Sequence, residues 1–338
     1  GIFDSRDGTF TNDGSYGTGP GSTFRQVLGA HSGNAIQVNG VLDVIGTGQA
    51  AFDVGPGATT FLQSSSGPLV LGALQSITVR GGNVPVSGAL ENHGLIRVAG
   101  RGDATSTFGT ANEAPITNHG DIEFTSEPNT GTDGIGRIPQ PTINESDGTV
   151  TVVPGTRFCD LGPITNRGLV DLGSSCNAGG VSHWESTGSL RIHPSAAGIQ
   201  TIGDIRNGST LAGTLEVATD AANPPPIGPP QDFMVGRFFN GCCFQSISGA
   251  FEDVEVSGSS ARGYELSYPV VGGGQRVQIE VVQGLGGITV ANVTAPATAA
   301  VGEDVVVTWT TAVDVATSES WTDTVYLSAG PSPDQDSI

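Results

Sequence analysis

One recurring phrase limits what this chain can fold into: Asn, one residue, Gly, then a run alternating apolar and polar side chains. It reads Leu90-Glu91-Asn92-His93-Gly94-Leu95-Ile96-Arg97-Val98 and Ile116-Thr117-Asn118-His119-Gly120-Asp121-Ile122-Glu123-Phe124. Ile164-Thr165-Asn166-Arg167-Gly168-Leu169-Val170-Asp171-Leu172 repeats it closely, and Ile143-Asn144-Glu145-Ser146-Asp147-Gly148-Thr149-Val150 more loosely. Further copies stand at 38–44, 184–192 and 211–217. The glycines of the main series are Gly94, Gly120, Gly148, Gly168, Gly188 and Gly213, so the spacing stays in the twenties. Such a period marks repeats in which one unit cannot bury its own apolar face and needs its neighbours stacked on it.

Each phrase has a strand's period of two: Ile96 and Val98 face one way, Leu95 and Arg97 the other. Stacking would align the inward residues in one column. Gly94, Gly120 and Gly168 are expected at corners that need a positive φ. Asn92, Asn118 and Asn166 are expected as an outward amide ladder, joined by Asn144 if the looser copy tolerates its length. His93, His119 and Arg167 would line one outer edge; two imidazoles without a third ligand make a weak metal site.

Composition agrees with many short strands and tight turns. Gly contributes 52 of 338 residues, while the 36% hydrophobic share still allows a buried core. The expected class is all-β, with residues 1–217 forming a β-solenoid behind an N-terminal cap. The pattern over roughly 30–217 resembles the parallel β-helix of filamentous-haemagglutinin-like and autotransporter-type bacterial surface proteins. Residues 218–286 resemble the β-rich closing segment that follows such repeats. They open on Pro224, Pro225, Pro226, Pro229 and Pro230, where regular pairing should lapse. From 288 to 338 the chain is similar to the start of the cell-adhesion-related domain of bacteria, a partial immunoglobulin-like β-sandwich. Ser320-Trp321-Thr322-Asp323-Thr324-Val325-Tyr326-Leu327-Ser328 carries that resemblance. The copy looks cut short at Ile338, as a piece of a larger protein or as a sandwich completed by a neighbour's strand.

Charge narrows the partners. The net charge is −20 and Lys is absent, which argues against nucleic acid and against an anionic membrane surface. No apolar run approaches a membrane span. Without Lys there is no Schiff base and no Lys–Asn cross-link. Calcium is the one cofactor left open, at Asp4, Asp7 and Asp13 or at Asp334 and Asp336, though neither set follows the twelve-residue calcium loop. Cys159, Cys176, Cys242 and Cys243 fit no zinc spacing. An oxidising compartment would permit Cys159–Cys176 and Cys242–Cys243 bridges; free buried thiols are the alternative.

No catalytic constellation stands out. Asn129-Thr130-Gly131-Thr132-Asp133-Gly134 echoes a polygalacturonase motif stretched by two residues, but the rest of that pattern is missing. Asp121 and Glu123 flank Ile122 and could share a face, as acids on many acidic sheets do. The expected function is therefore structural and adhesive, not enzymatic: a secreted or bacterial cell-surface stalk presenting binding modules. Its partners would be other extracellular domains, with self-association by strand donation into filaments as one alternative. Carbohydrate binding or degradation through loops 99–115 and 125–142 is the other.

Overall fold

A computed structural model describes residues 2–5, 9–12, 17–26, 30–65, 67–101, 104–126, 134–156, 158–173, 177–178, 182–199, 202–205, 209–236, 238–239, 243–244, 247–258, 262–271, 274–283, 288–294 and 306–313. Every regular element among them is a β-strand. None of the described residues forms a helix long and apolar enough to cross a membrane. The chain divides into two compact units, Gly1–Ser259 with Tyr264–Val282, and Ser260–Gly263 with Gln283–Ile338.

The first unit is built on three parallel sheets. A ten-stranded long sheet runs from Ile36–Gln37 to Asp253–Ser257, and an eight-stranded second sheet from Leu69–Leu71 to Ile247–Gly249. A five-stranded third sheet runs from Asn83–Val84 to Asn177–Ala178. Parallel bridges Thr59↔Asn83 and Leu62↔Val86 join it to a four-stranded parallel sheet nearer the N-terminus. Between Leu90 and Trp184 the chain visits the second, long and third sheets in constant rotation.

The register follows the phrase. Ile96 lies beside Ile122, Ile122 beside Val150, Val150 beside Val170, Val170 beside Leu190, and Leu190 beside Leu215. These residues are at most 3% exposed. Their outward neighbours Leu95, Arg97, Glu123 and Thr151 are half-buried, as the alternation requires. Fully burying one such aliphatic side chain contributes roughly 1.5–3 kcal/mol, so the column supplies much of the cohesion between passes.

Four expectations need correction. The short copy at 38–44 forms strand Gly40–Val44, but in the N-terminal four-stranded sheet; the long sheet instead takes Ala50–Val54 and Gln75–Arg80. The segments 99–115 and 125–142 are not simply open loops. They carry third-sheet strands Ser106–Phe108 and Ile135–Ile138, whose Phe108 and Ile138 are wholly buried. Parallel pairing also continues past 217, because Ile247–Gly249 and Asp253–Ser257 add to Ser209–Leu211 and Thr214–Ala218. Finally, Pro229 and Pro230 lie within strand Gly228–Gly236, which pairs antiparallel with Gly274–Gln283. The expected lapse holds at Pro224, Pro225 and Pro226, which no strand includes. Beyond them the ladder shifts register between Gly228 and Gln231 and again between Asp232 and Met234, and neither Pro229 nor Pro230 has an N–H to give.

In the second unit, Ile288–Thr294 pairs antiparallel with Thr308–Val313. Residues 320–328 lie outside the described residues.

Candidate functional site

The repeated Asn does not face solvent. Asn92, Asn118, Asn144 and Asn166 are each 0% exposed. Asn92 Nδ2 donates to Asn118 Oδ1 at 2.6 Å, Asn118 Nδ2 to Asn144 Oδ1 at 2.7 Å, and Asn144 Nδ2 to Asn166 Oδ1 at 2.8 Å. Spare amide hydrogens reach backbone carbonyls: Asn118 to Gly120 and Thr149, Asn166 to Gly168 and Ser189. The looser copy therefore joins the ladder, in register with its neighbours. The signal for burial was present: Leu90, Ile116 and Ile164 each precede an Asn by two residues, so strand geometry turns both inward. Trp184 follows Asn166 in the register, and its Nε1 has no hydrogen-bond partner among the described residues.

The glycines serve close approach instead of a positive φ. Gly94, Gly120 and Gly168 are absent from the left-handed region, whereas Gly213 adopts φ 71°. A Cβ on Gly120 would lie 2.3 Å from the Gly94 carbonyl oxygen, and one on Gly168 2.2 Å from that of Glu145. On Gly94 it would meet the Gln75 carbonyl oxygen at 2.3 Å. Successive corners stack backbone on backbone, and no side chain fits between them.

Between the Asn and the Gly, the half-buried corner residues also stack. The His93 and His119 rings lie 4.9 Å apart and nearly parallel. His93 Nε2 meets Glu91 at 2.7 Å and His119 Nδ1 meets Asp147 at 2.8 Å. The hydrogen bond with His119 holds the Asp147 carboxyl below its usual pKa. Farther along, Arg167 bridges Glu145 at 2.8 Å and Glu185 at 3.0 Å, and the Arg167 hydrogen bond lowers the Glu185 pKa.

On the outer face of the long sheet, Arg97 pairs with Glu123 at 2.7 Å. Glu123 is thereby engaged with a guanidinium, while Asp121 is exposed beside Leu95, so the two do not form a free acid–base pair. Arg191 bridges Asp171 at 3.4 Å and Glu216 at 2.6 Å, and His193 Nε2 lies 2.6 Å from Asp171. Burial works against the charge on Arg191, but Glu216 and Asp171 outweigh it and raise its pKa. The next strand sets Glu255 beside Glu216. A depression of about 380 Å³ lies there, lined by Arg191, His193, Glu216, Glu255, Val256 and Ser257 among others.

Buried polar groups outside the repeated phrase hold the N-terminal and third-sheet regions. Burial raises the Asp43 pKa, but Arg25 at 2.7 Å and the Ser65 hydroxyl and N–H, each at 2.8 Å, outweigh it and leave a lowered value. Gln75 donates to the Gly46 carbonyl at 2.7 Å and to Gln26 Oε1 at 3.1 Å. Gln140 donates to the carbonyls of Gly88 and Ala114, tying three passes together. No spacing in the sequence announces these glutamines.

Of the calcium candidates, only the backbone of Asp4 is described. Asp4 lies in strand Ile2–Ser5 with its Cα beside that of Arg25; its side chain, and Asp7, Asp13, Asp334 and Asp336, lie outside the described residues. Among the described residues no cluster of three or more His, Cys, Asp or Glu is placed to hold a metal ion. Cys159 is buried and disulfide-bonded. Cys176 and Cys242 lie outside the described residues; Cys243 pairs with Phe239 in a short antiparallel ladder, its side chain undescribed. No family model, curated protein or solved structure matches this chain.

Proposed function

We propose that this chain is a load-bearing element of an extracellular or bacterial-surface assembly: a parallel β-helix acting as a stiff stalk that presents adhesive modules. The observation that carries this reading is the unbroken register from Ile96 through Ile122, Val150, Val170 and Leu190 to Leu215. Each pass is bound to the next by backbone ladders and an apolar column, with buried amides added from Asn92 to Asn166. The outward charges support the same reading, because Arg97, Arg167 and Arg191 engage carboxylates of adjacent passes. In a quasi-one-dimensional stack, load is shared between nearest neighbours, and failure proceeds pass by pass.

Single-molecule pulling between handles at positions 22 and 257 tests this. The stalk reading expects serial extension steps of roughly 7–9 nm, the contour of one repeat at about 3.4 Å per residue. One concerted low-force opening of the whole unit would overturn it. Labelling intact producing cells with a membrane-impermeant reagent tests the location, and protection of the chain from label would remove the surface assignment.

A further inference from the structure

The last strand of the long sheet differs from every strand before it. Asp253–Ser257 pairs with Thr214–Ala218 on one side and ends the sheet on the other. Its inward residues continue the core column, Val254 beside Leu215 and Val256 beside Val217. Leu215 and Val217 are 0% and 1% exposed, but Val256 is 46% exposed and Val254 only half-buried. Among the described residues, no further strand continues either the apolar column or the backbone ladder at this place.

Charge says what fits there. Along the outer face, Glu123 meets Arg97 on the preceding strand, and Asp171 and Glu216 flank Arg191 on consecutive strands. Glu255 is exposed, and its register neighbour is Glu216, which is already engaged by Arg191. The depression lined by Arg191, Glu216, Glu255 and Val256 opens beside it. We propose that this edge receives one further parallel strand from a partner polypeptide, with apolar residues flanking a basic one that pairs with Glu255. Main-chain hydrogen bonds would supply affinity and the alternating side chains selectivity, as in other strand additions. A second copy of this chain is a poor occupant. The first strand of the same sheet, Ile36–Gln37, offers no cation, and two chains of net charge −20 repel. The proposal rests on the stalk reading for the stacking of passes and adds the partner's chemistry.

The probe is a labelled peptide Gly-Ser-Leu-Arg-Ile-His, the sequence of Gly188–His193, which already packs its Arg against Glu216 in this fold. Anisotropy titration against the full chain should show it binding about 1.4-fold to fivefold tighter than the same peptide with Glu in place of Arg, the range of one cross-strand charge pair. Glu255→Arg, at an exposed position, should reverse that order, and the thermal melt should hold or rise slightly, because the like charge beside Glu216 is removed. Absence of binding, equal binding of both peptides, or an unchanged order in Glu255→Arg overturns the proposal. Concentration-dependent oligomers of the unmodified chain in sedimentation would assign the edge to a second copy and likewise overturn it. The pulling pattern reads the stalk alone, so the two ideas fail separately.

Discussion

Strands Asp121–Ser126 and Asp253–Ser257 belong to one sheet and share one alternation of side chains, yet their surroundings differ. The first lies between Leu95–Gly100 and Thr149–Val152, with Ile122 and Phe124 at most 1% exposed. Among the described residues the second has a strand neighbour on one side only, and its valines are partly open to solvent. In a parallel sheet, what a strand contributes is decided by the strands on either side of it more than by its own sequence.

The largest expected effect lies in the buried ladder. Asn118→Ala removes a donor to Asn144 and an acceptor from Asn92, and deprives the Gly120 and Thr149 carbonyls of a partner. With several buried polar groups left unsatisfied, it should destabilise the first unit by about 4 kcal/mol in urea unfolding. A loss near that of a surface substitution would mean that the amides add little to the cohesion between middle passes. Next comes a direct contest between the two strands. Ile122→Ala should cost about 3 kcal/mol through lost burial and a residual cavity. Val254→Ala should cost well under about 1 kcal/mol, because its site is already half open. Equal losses would show that the last strand is covered as fully as the middle one.

The carboxylates give a third, smaller contrast. Asp43 is fully buried, and its pKa is lowered from the ordinary 3.8. A lowered folded-state value means that its stabilisation is fully present above the unfolded pKa and is lost as pH falls through the folded one. Arg25→Met should cost about 2 kcal/mol at neutral pH, where it leaves a buried carboxylate without its guanidinium. Its unfolding free energy should also fall less steeply below about pH 4, since the linked proton uptake shrinks. An acid limb parallel to that of the unmodified chain would show that Arg25 does not set the Asp43 ionisation.

How much of the fold is legible in the sequence depends on what each feature rests on. Alternation at Ile96, Ile122 and Val170 is local, and the strands and their stacking can be read from it. The Asn ladder is legible as a ladder, but the turn chemistry of Asn points outward while Leu90 and Ile116, two residues earlier, point to the correct inward face. The corner glycines are identified correctly by the phrase and explained wrongly by it. A carbonyl 2.3 Å from a missing Cβ belongs to the neighbouring pass and leaves no mark in the phrase itself. The third sheet is hidden for a different reason: strands such as Ser106–Phe108 are three residues long inside insertions of varying length. Gln75 and Gln140 stand at unrepeated positions, so only coordinates reveal them. The openness of Val254 and Val256 is unreadable in principle, because it depends on whether another pass stacks on that strand.

The smallest effect carries the most information, because its sign should change between the two regions. Glu123→Gln removes a partly exposed pair with Arg97 and should cost about 0.5 kcal/mol, the usual worth of such a pair in dilute salt. Glu255→Gln should instead stabilise the free chain by a few tenths of a kcal/mol, roughly the penalty for like charges directly opposite one another, here Glu255 and Glu216. Both effects should fade at about 1 M salt, where screening acts within roughly 3 Å. Denaturant midpoints of the two variants at low and high salt decide the matter. Opposite signs at low salt mean that the alternation of charge between passes stops at the last strand, leaving a negative edge. Matching losses would mean that Glu255 already has a cationic partner, and the difference between middle and end would then lie in apolar burial alone.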